Sequence, residues 1–415
     1  MKDMKNERQE IYNAASNMKR SVLNFANHIS KGVTKPTKNF IDDMLYGLMV
    51  SQDVKLTKIA GSLNEEQKLK HTEERLRRNV NTFDDTEIIA DNYMKKVVKK
   101  CRKDTVLIID DGDIAKPYGS NFEGLSQVRD GSTGAIVKGF PMVGMIALTD
   151  DKLPLPIYES IYSYEKDFVS ANAETFKALD FADKYFDKKN IRVFDSGIIT
   201  EKLMNTGVNF IVRAVGNRHV IWGGKSLSIL EVAKKFKGKY SLKYVDKTGK
   251  KRECNTWITP IEMNGFSLNL VICNGVGEKP LMLLTNVFDD DKSICNTLVK
   301  CYIMRWKIEE FYRFKKQTFN FEDIRIMNLK GMNTINLLLN ILIGFLSMKS
   351  TDGQDKPVIV ALINQVKQIY NPKNILYSVC AGLFIVMIIA NTGLPPNIQP
   401  VNNIQFCFFE NFIGS

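Results

Sequence analysis

The chain has 415 residues, 44% of them hydrophobic and 25% charged, with a formal net charge of +12. That balance describes a soluble globular protein with room for two or three domains. Residues 1–104 hold 21 Lys or Arg against 15 Asp or Glu, so +6 of the charge lies in the first quarter and points to a polyanion, nucleic acid before membrane. Seven scattered cysteines with no C-x-x-C pair exclude a disulfide framework and fit a reduced, cytoplasmic setting. Three dispersed histidines exclude a zinc site, and the charged start MKDMKNERQE has no apolar core of the kind a signal peptide needs.

Helical periodicity runs through residues 8–30, 39–50 and 64–83, with one small helix in 51–63 and breaks at Lys35-Pro36 and Gly61-Ser62. A basic helical module with short connections is the make-up of helix-turn-helix DNA readers, and equally of a plain helical bundle. Near residue 104 the character changes. DTVLIIDDGD predicts a buried strand with carboxylates at its C-terminal tip, and residues 134–165 predict two antiparallel strands turning at Asp150-Asp151. An amphipathic helix over 171–189 leads to a second short buried strand, 190–197, that ends in Asp195. In such an α/β arrangement the two strand tips can lie side by side, where open sheets place their chemistry.

Strand character continues through 209–222, a long basic hairpin over 239–261 turning at Lys247–Lys250, and strands in 266–275 and 280–287. These make a β-rich insertion of about 217–282. Residues 318–395 are again mainly helical, and the 16-residue run ILYSVCAGLFIVMIIA is short for a membrane span and reads as a buried helix. The tail beyond it has no clear period. The expected domains are a helical, basic DNA-binding region, 1–103, an α/β region carrying the β-rich insertion, 104–328, and a helical C-terminal region, 329–415.

CYIMRWKIEEFYRFKKQ, residues 301–317, predicts one helix of unusual chemistry. At about 100° per residue, Tyr302, Arg305, Glu309 and Lys316 fall within roughly 60° of one another, opposite Ile303, Met304, Ile308, Phe311 and Phe314. A solvated i, i+4 ion pair is the plain alternative for Arg305 and Glu309. Asp110 and Asp195 at strand ends and Glu309 on a helix are the donor types that magnesium or manganese favours. Two such ions about 3.5–4 Å apart support in-line attack at phosphorus. A Walker loop, G-x-S-x-G and H-E-x-x-H are all absent from the sequence.

The spacing Y-(2)-R-(3)-E-(6)-K at Tyr302, Arg305, Glu309 and Lys316 resembles the signature of DDE transposases of bacterial insertion sequences, in the insertion-sequence-four branch. IIDDGDIAKPYG with VRDGSTGAIVKGF, RVFDSGI, and NFIVRAVGNR are similar to that family's first-aspartate, second-aspartate and insertion-opening segments. The resemblance covers about residues 37–350. It implies a ribonuclease H-like catalytic core interrupted by the β-rich insertion, with Asp110, Asp195 and Glu309 as the catalytic, metal-binding triad holding two Mg2+ or Mn2+ ions. Asp111 is the fallback for Asp110. Tyr302, Arg305, Lys316 and Arg213 would contact DNA, and Trp257, with Trp222 second, would stack on a flipped base, with ordinary insertion core as the equal alternative for each. The partners implied are double-stranded DNA, as transposon terminal inverted repeats and target, and a second copy in a homodimer assembled on DNA. The implied reaction is metal-dependent DNA cleavage and strand transfer. A catalytically silent, domesticated DNA-binding relative and a stand-alone metal-dependent nuclease are the alternatives.

Overall fold

The computed structural model describes residues 2–131, 133–195, 201–246, 250–288, 292–353, 356–367 and 375–392. The C-terminal tail, part of the expected hairpin turn and the residues just after Asp195 lie outside them.

Five helices come first: α1 (Lys2–Ile29), α2 (Lys35–Ser51), α3 (Leu56–Ser62), α4 (Leu69–Thr82) and α5 (Thr86–Lys100). The expected break at Lys35-Pro36 is instead a helix start. Thr34 caps α2 by accepting from the Thr37 N–H, and Pro36 occupies the first turn, where a missing N–H is tolerated. α4 buries Thr72, Leu76 and Val80, a single stripe at four-residue spacing. α5 lies within the region expected to be helical, although the sequence did not mark it out as a separate helix. It carries four lysines, and its buried side is the narrow set Ile89, Tyr93, Met94 and Val97.

Among the described residues, twelve strands form one sheet. They are β1 (Leu107–Ala115), β2 (Ser126–Arg129), β3 (Ile136–Leu148), β4 (Pro154–Ile161), β5 (Arg192–Phe194), β6 (Phe210–Arg213), β7 (His219–Trp222), β8 (Lys225–Ser228), β9 (Tyr240–Val245), β10 (Lys251–Met263), β11 (Phe266–Asn274) and β12 (Leu281–Thr285). The short helices α6 (Ala171–Ala182), α7 (Glu201–Asn205) and α8 (Ile229–Lys234) lie between strands. At the centre the order is β4-β3-β1-β5-β6, with β3 antiparallel to both neighbours and β1, β5 and β6 mutually parallel. α6 supplies the long crossover that a return to a parallel neighbour requires. β12 then pairs antiparallel with β6, so the insertion extends the same sheet through β11, β10, β7 and β8.

The expected helix over 301–317 is two helices, α9 (Lys292–Ile303) and α10 (Trp306–Thr318). At the junction the N–H of Arg305 bonds back to Tyr302 and that of Ile308 to Arg305, the tighter i to i−3 pattern. Two separate cores explain the break. α9 buries Cys295, Leu298, Val299 and Tyr302 against insertion residues such as Ile258, Val271 and Leu283. α10 buries Ile308, Phe311 and Phe314 in the main core, which also holds the first five helices. One straight helix would not present apolar sides to both.

Beyond a single 3₁₀ turn, Phe321–Asp323, come α11 (Leu329–Thr351), α12 (Lys356–Lys367) and α13 (Ile375–Thr392). α11 is long and apolar enough to cross a membrane by length and composition, but 89% of its most apolar window is buried inside the protein. It packs against α2, α4, α5 and β4, which makes it a central core helix. The apolar run in α13 is also interior: Leu376, Val379, Cys380, Leu383 and Val386 are all buried.

Candidate active site

Asp110 is not at a strand tip. β1 continues to Ala115, and Asp110 lies mid-strand opposite Gly144 of β3. Asp195 directly follows β5, whose Arg192 and Val193 pair with Leu107 and Ile108 of β1. Glu309 sits in the first turn of α10, where the positive end of the helix dipole favours a carboxylate.

Arg305 joins these elements. Its Nη1 donates to Asp110 Oδ2 and its Nη2 to Glu309 Oε1, each at 2.5 Å. Arg305 and Asp110 are 16% and 18% exposed, whereas Glu309 is 50% exposed. Tyr302, on the last turn of α9, donates to Asp195 Oδ1 at 3.3 Å. Burial pushes the Asp110 carboxyl up to about 7, with Arg305 opposing the rise and Asp195, Glu309 and Asp111 adding to it. Burial disfavours charge on Arg305, yet Asp110, Asp195 and Glu309 outweigh it and hold the guanidinium above its ordinary value. Burial and then the Asp195 charge push the Tyr302 hydroxyl up to about 12. Three carboxylates from distant parts of the chain thus share one electrostatic environment. Asp111 is exposed, and no ion pair or side-chain bond ties it to Arg305 or Glu309.

Two features hold α10 against the sheet. The Tyr312 hydroxyl donates to the backbone carbonyl of Asp110 at 2.8 Å. It lies over Gly144, where a Cβ would come within 2.4 Å of that oxygen, so the close approach requires glycine. Three residues on, Lys315 is fully buried and pairs with Glu159 of β4 at 2.5 Å and with Asn336 of α11 at 2.6 Å. Burial lowers its ammonium to about 8 against the opposing pull of Glu159. Neither contact was read from the sequence. Tyr312 lies off the Tyr302–Lys316 arc, and the only hint at Glu159 is a lone acid in a buried strand.

The remaining candidates lie apart from this cluster in their bonding. Lys316, expected beside Glu309, pairs instead with Asp113 at 2.9 Å and Glu322 at 3.0 Å, because two helical turns carry it along β1. Arg213 is exposed at the end of β6, and its charge is felt at Tyr302. Trp257 is half-buried and stacks on Phe236 at 4.8 Å, with Lys239 over its ring at 5.6 Å. Trp222 meets the other side of that cluster, edge-on to Phe236 at 5.7 Å. Both tryptophans therefore take part in an aromatic layer of the insertion, flanked by lysines.

No protein-family profile matches the chain, and no curated protein matches it. One solved neighbour is a transposase. It is the piggyBac transposase synaptic complex with hairpin DNA, at TM-score 0.43 and 12% identity, with 94% of this chain and 86% of that chain covered. The chemistry of the present chain rests on its own residues.

Oxygen-only donors from Asp110, Asp195 and Glu309 fit a hard divalent cation by type. In the geometry described, no group of three His, Cys, Asp or Glu among the described residues is arranged to hold an ion. The guanidinium of Arg305 stands between Asp110 and Glu309.

Proposed function

We propose that the protein is a DNA transposase of the DDE class, built on a ribonuclease H-like core, that cleaves and joins phosphodiester bonds at the ends of a mobile element. The observation that carries this reading is the convergence of Asp110, Asp195 and Glu309 around Arg305 and Tyr302. The strand order β4-β3-β1-β5-β6, three antiparallel strands followed by two parallel ones, supports the core assignment. The insertion-sequence-four branch rests on sequence resemblance alone, the Tyr302, Arg305, Glu309 and Lys316 spacing with the IIDDGDIAKPYG, RVFDSGI and NFIVRAVGNR segments.

Asp110, Asp195 and Glu309 would hold Mg2+ or Mn2+. When bound, such ions supply an activated water or hydroxyl and stabilise the leaving oxygen at phosphorus. The chain's own residues orient the DNA. Arg305 has a planar fork suited to a phosphate, and Arg213 adds a second cation on the Tyr302 side. Tyr302 keeps its proton through the physiological range and so remains a hydrogen-bond donor. The basic first hundred residues add sequence-independent attraction, which weakens with salt. Assembly of two copies on DNA belongs to the same proposal.

The test is cleavage of a supercoiled plasmid that carries the element's own flanking sequences. Asp110→Asn, Asp195→Asn and Glu309→Gln should each lower the cleavage rate by at least about a hundredfold, or roughly 3 kcal/mol of barrier, while DNA binding stays near wild type. Near-normal cutting by any of the three would remove that residue from the triad. Binding with no cutting by the wild type in either metal would favour the silent DNA-binding protein, and cutting indifferent to the element ends would favour a general nuclease.

A further inference from the structure

We infer that Arg305 is an electrostatic latch on the candidate cation site: in the DNA-free protein it bridges Asp110 and Glu309, and a DNA phosphate that draws it away releases both carboxylates. The inference rests on the metal-binding role proposed above and adds a regulation to it.

The form of the contact is the first argument. A guanidinium that simply neutralised one acid would place both of its outer nitrogens on one carboxylate. Here Nη1 goes to Asp110 on β1 and Nη2 to Glu309 on α10. The bridge therefore ties together two ligands from different elements, and it occupies Asp110 Oδ2 and Glu309 Oε1, one oxygen of each carboxylate, with N–H donors. An incoming divalent ion must also approach a like charge held in a largely buried site.

The second argument is where Arg305 sits. It is the junction residue between α9 and α10, with i to i−3 bonds on both sides. Helix packing fixes Tyr302 before it and Ile308 after it, both buried. The Glu309 end of the bridge is half-exposed, so a phosphate can reach the guanidinium from solvent. A phosphodiester presents two non-bridging oxygens on a tetrahedral phosphorus, a two-oxygen acceptor that the guanidinium fork can take in place of a carboxylate, which makes it a direct competitor. By linkage, whatever factor DNA adds to cation affinity, the cation must add to DNA affinity. The site would then load metal mainly on DNA, which limits stray hydrolysis by the free protein.

The test measures free Mn2+ by electron paramagnetic resonance during titration of the full chain without DNA. Arg305→Ala should bind Mn2+ about tenfold or more tightly than wild type, within the usual range of such couplings. Arg305→Lys, which keeps the charge but reaches one carboxylate, should fall between them, and it carries the comparison if the alanine variant does not fold. Adding saturating duplex, with the ion bound by DNA alone subtracted, should close the gap between wild type and variant. Equal or weaker Mn2+ binding by the variants, or a gap that duplex leaves unchanged, would overturn the latch. Asp110→Asn and Glu309→Gln separate this failure from the larger one. If they abolish Mn2+ binding while Arg305 variants match wild type, the metal site stands and the latch falls. Mn2+ binding that ignores both acids would overturn the metal site and the latch together.

Discussion

Asp110 is held at a disadvantage by its own surroundings, and the consequence can be measured as stability. Burial lifts its pKa to about 7, against an ordinary aspartate value near 4 in the unfolded chain. Between those two values the folded protein binds the proton that the unfolded chain has already lost. Stability contributed by this group therefore falls as pH rises from about 4 to about 7. Asp110→Asn removes the titration. In chelator, without divalent ions, the melting temperature of the variant relative to wild type should be higher at pH 8 than at pH 5. A difference that does not change with pH would mean that Arg305 fully compensates the charge. The residue pattern alone placed Asp110, Asp195 and Glu309 on separate elements and gave the Tyr302–Lys316 spacing. It put Asp110 at a strand tip, however, because where β1 ends depends on its pairing with β3 and not on local periodicity. It could not show that Arg305 spans two of the acids, or that Lys316 turns to Asp113. Those outcomes depend on how far apart β1 and α10 lie.

The elements that carry the acids are held in register by polar contacts inside the core. Lys315 and Glu159 are almost wholly buried, and one Glu159 oxygen has no partner among the described residues. Such a pair gives little net stability over an apolar replacement, but removing one partner strands a charge. Lys315→Met should therefore destabilise the protein by about 3–5 kcal/mol in denaturant titration. The double variant Lys315→Met with Glu159→Leu should recover most of that loss. If the single substitution costs less than about 1 kcal/mol, the pair is not charged in the folded state or water reaches it. At this scale the sequence was legible where one period dominated, as in the β3–β4 pair and the hairpin of β9 and β10. The α9–α10 break was not legible. Its apolar residues fit one continuous helix, and only the presence of two separate cores forces the turn at Met304 and Arg305.

At the scale of the whole molecule, the basic N-terminal helices and the C-terminal helices form one packed body with the sheet. α1 packs against α12 and α13, and α2 against α11 and α13. Tyr93 of α5 donates to the Pro156 carbonyl of β4 at 2.9 Å, and its ring lies where Gly344 of α11 leaves room. α13 also reaches the helix of the candidate site, since Tyr377 packs edge-on against Phe314 at 4.8 Å and donates to Gln317 at 3.2 Å. The apolar run read from the sequence as a buried helix thus links the DNA-binding candidate region to α10. Composition could identify the run as interior but not which elements it would cover. Ending the chain at Thr351 would remove α12 and α13 and leave the apolar sides of α1, α2 and α10 facing water, a patch that favours association. The shortened protein should lose roughly 3 kcal/mol of stability or more and aggregate on warming, and the Mn2+ binding proposed for Glu309 should weaken with it as α10 loosens. Static light scattering and thermal denaturation check the first part, and the Mn2+ titration checks the second. A soluble, fully stable 1–351 chain with unchanged Mn2+ affinity would show that the C-terminal helices are an appendage, and the support of α10 would then rest on its packing against the sheet, with Tyr312 and Lys315 as its polar anchors.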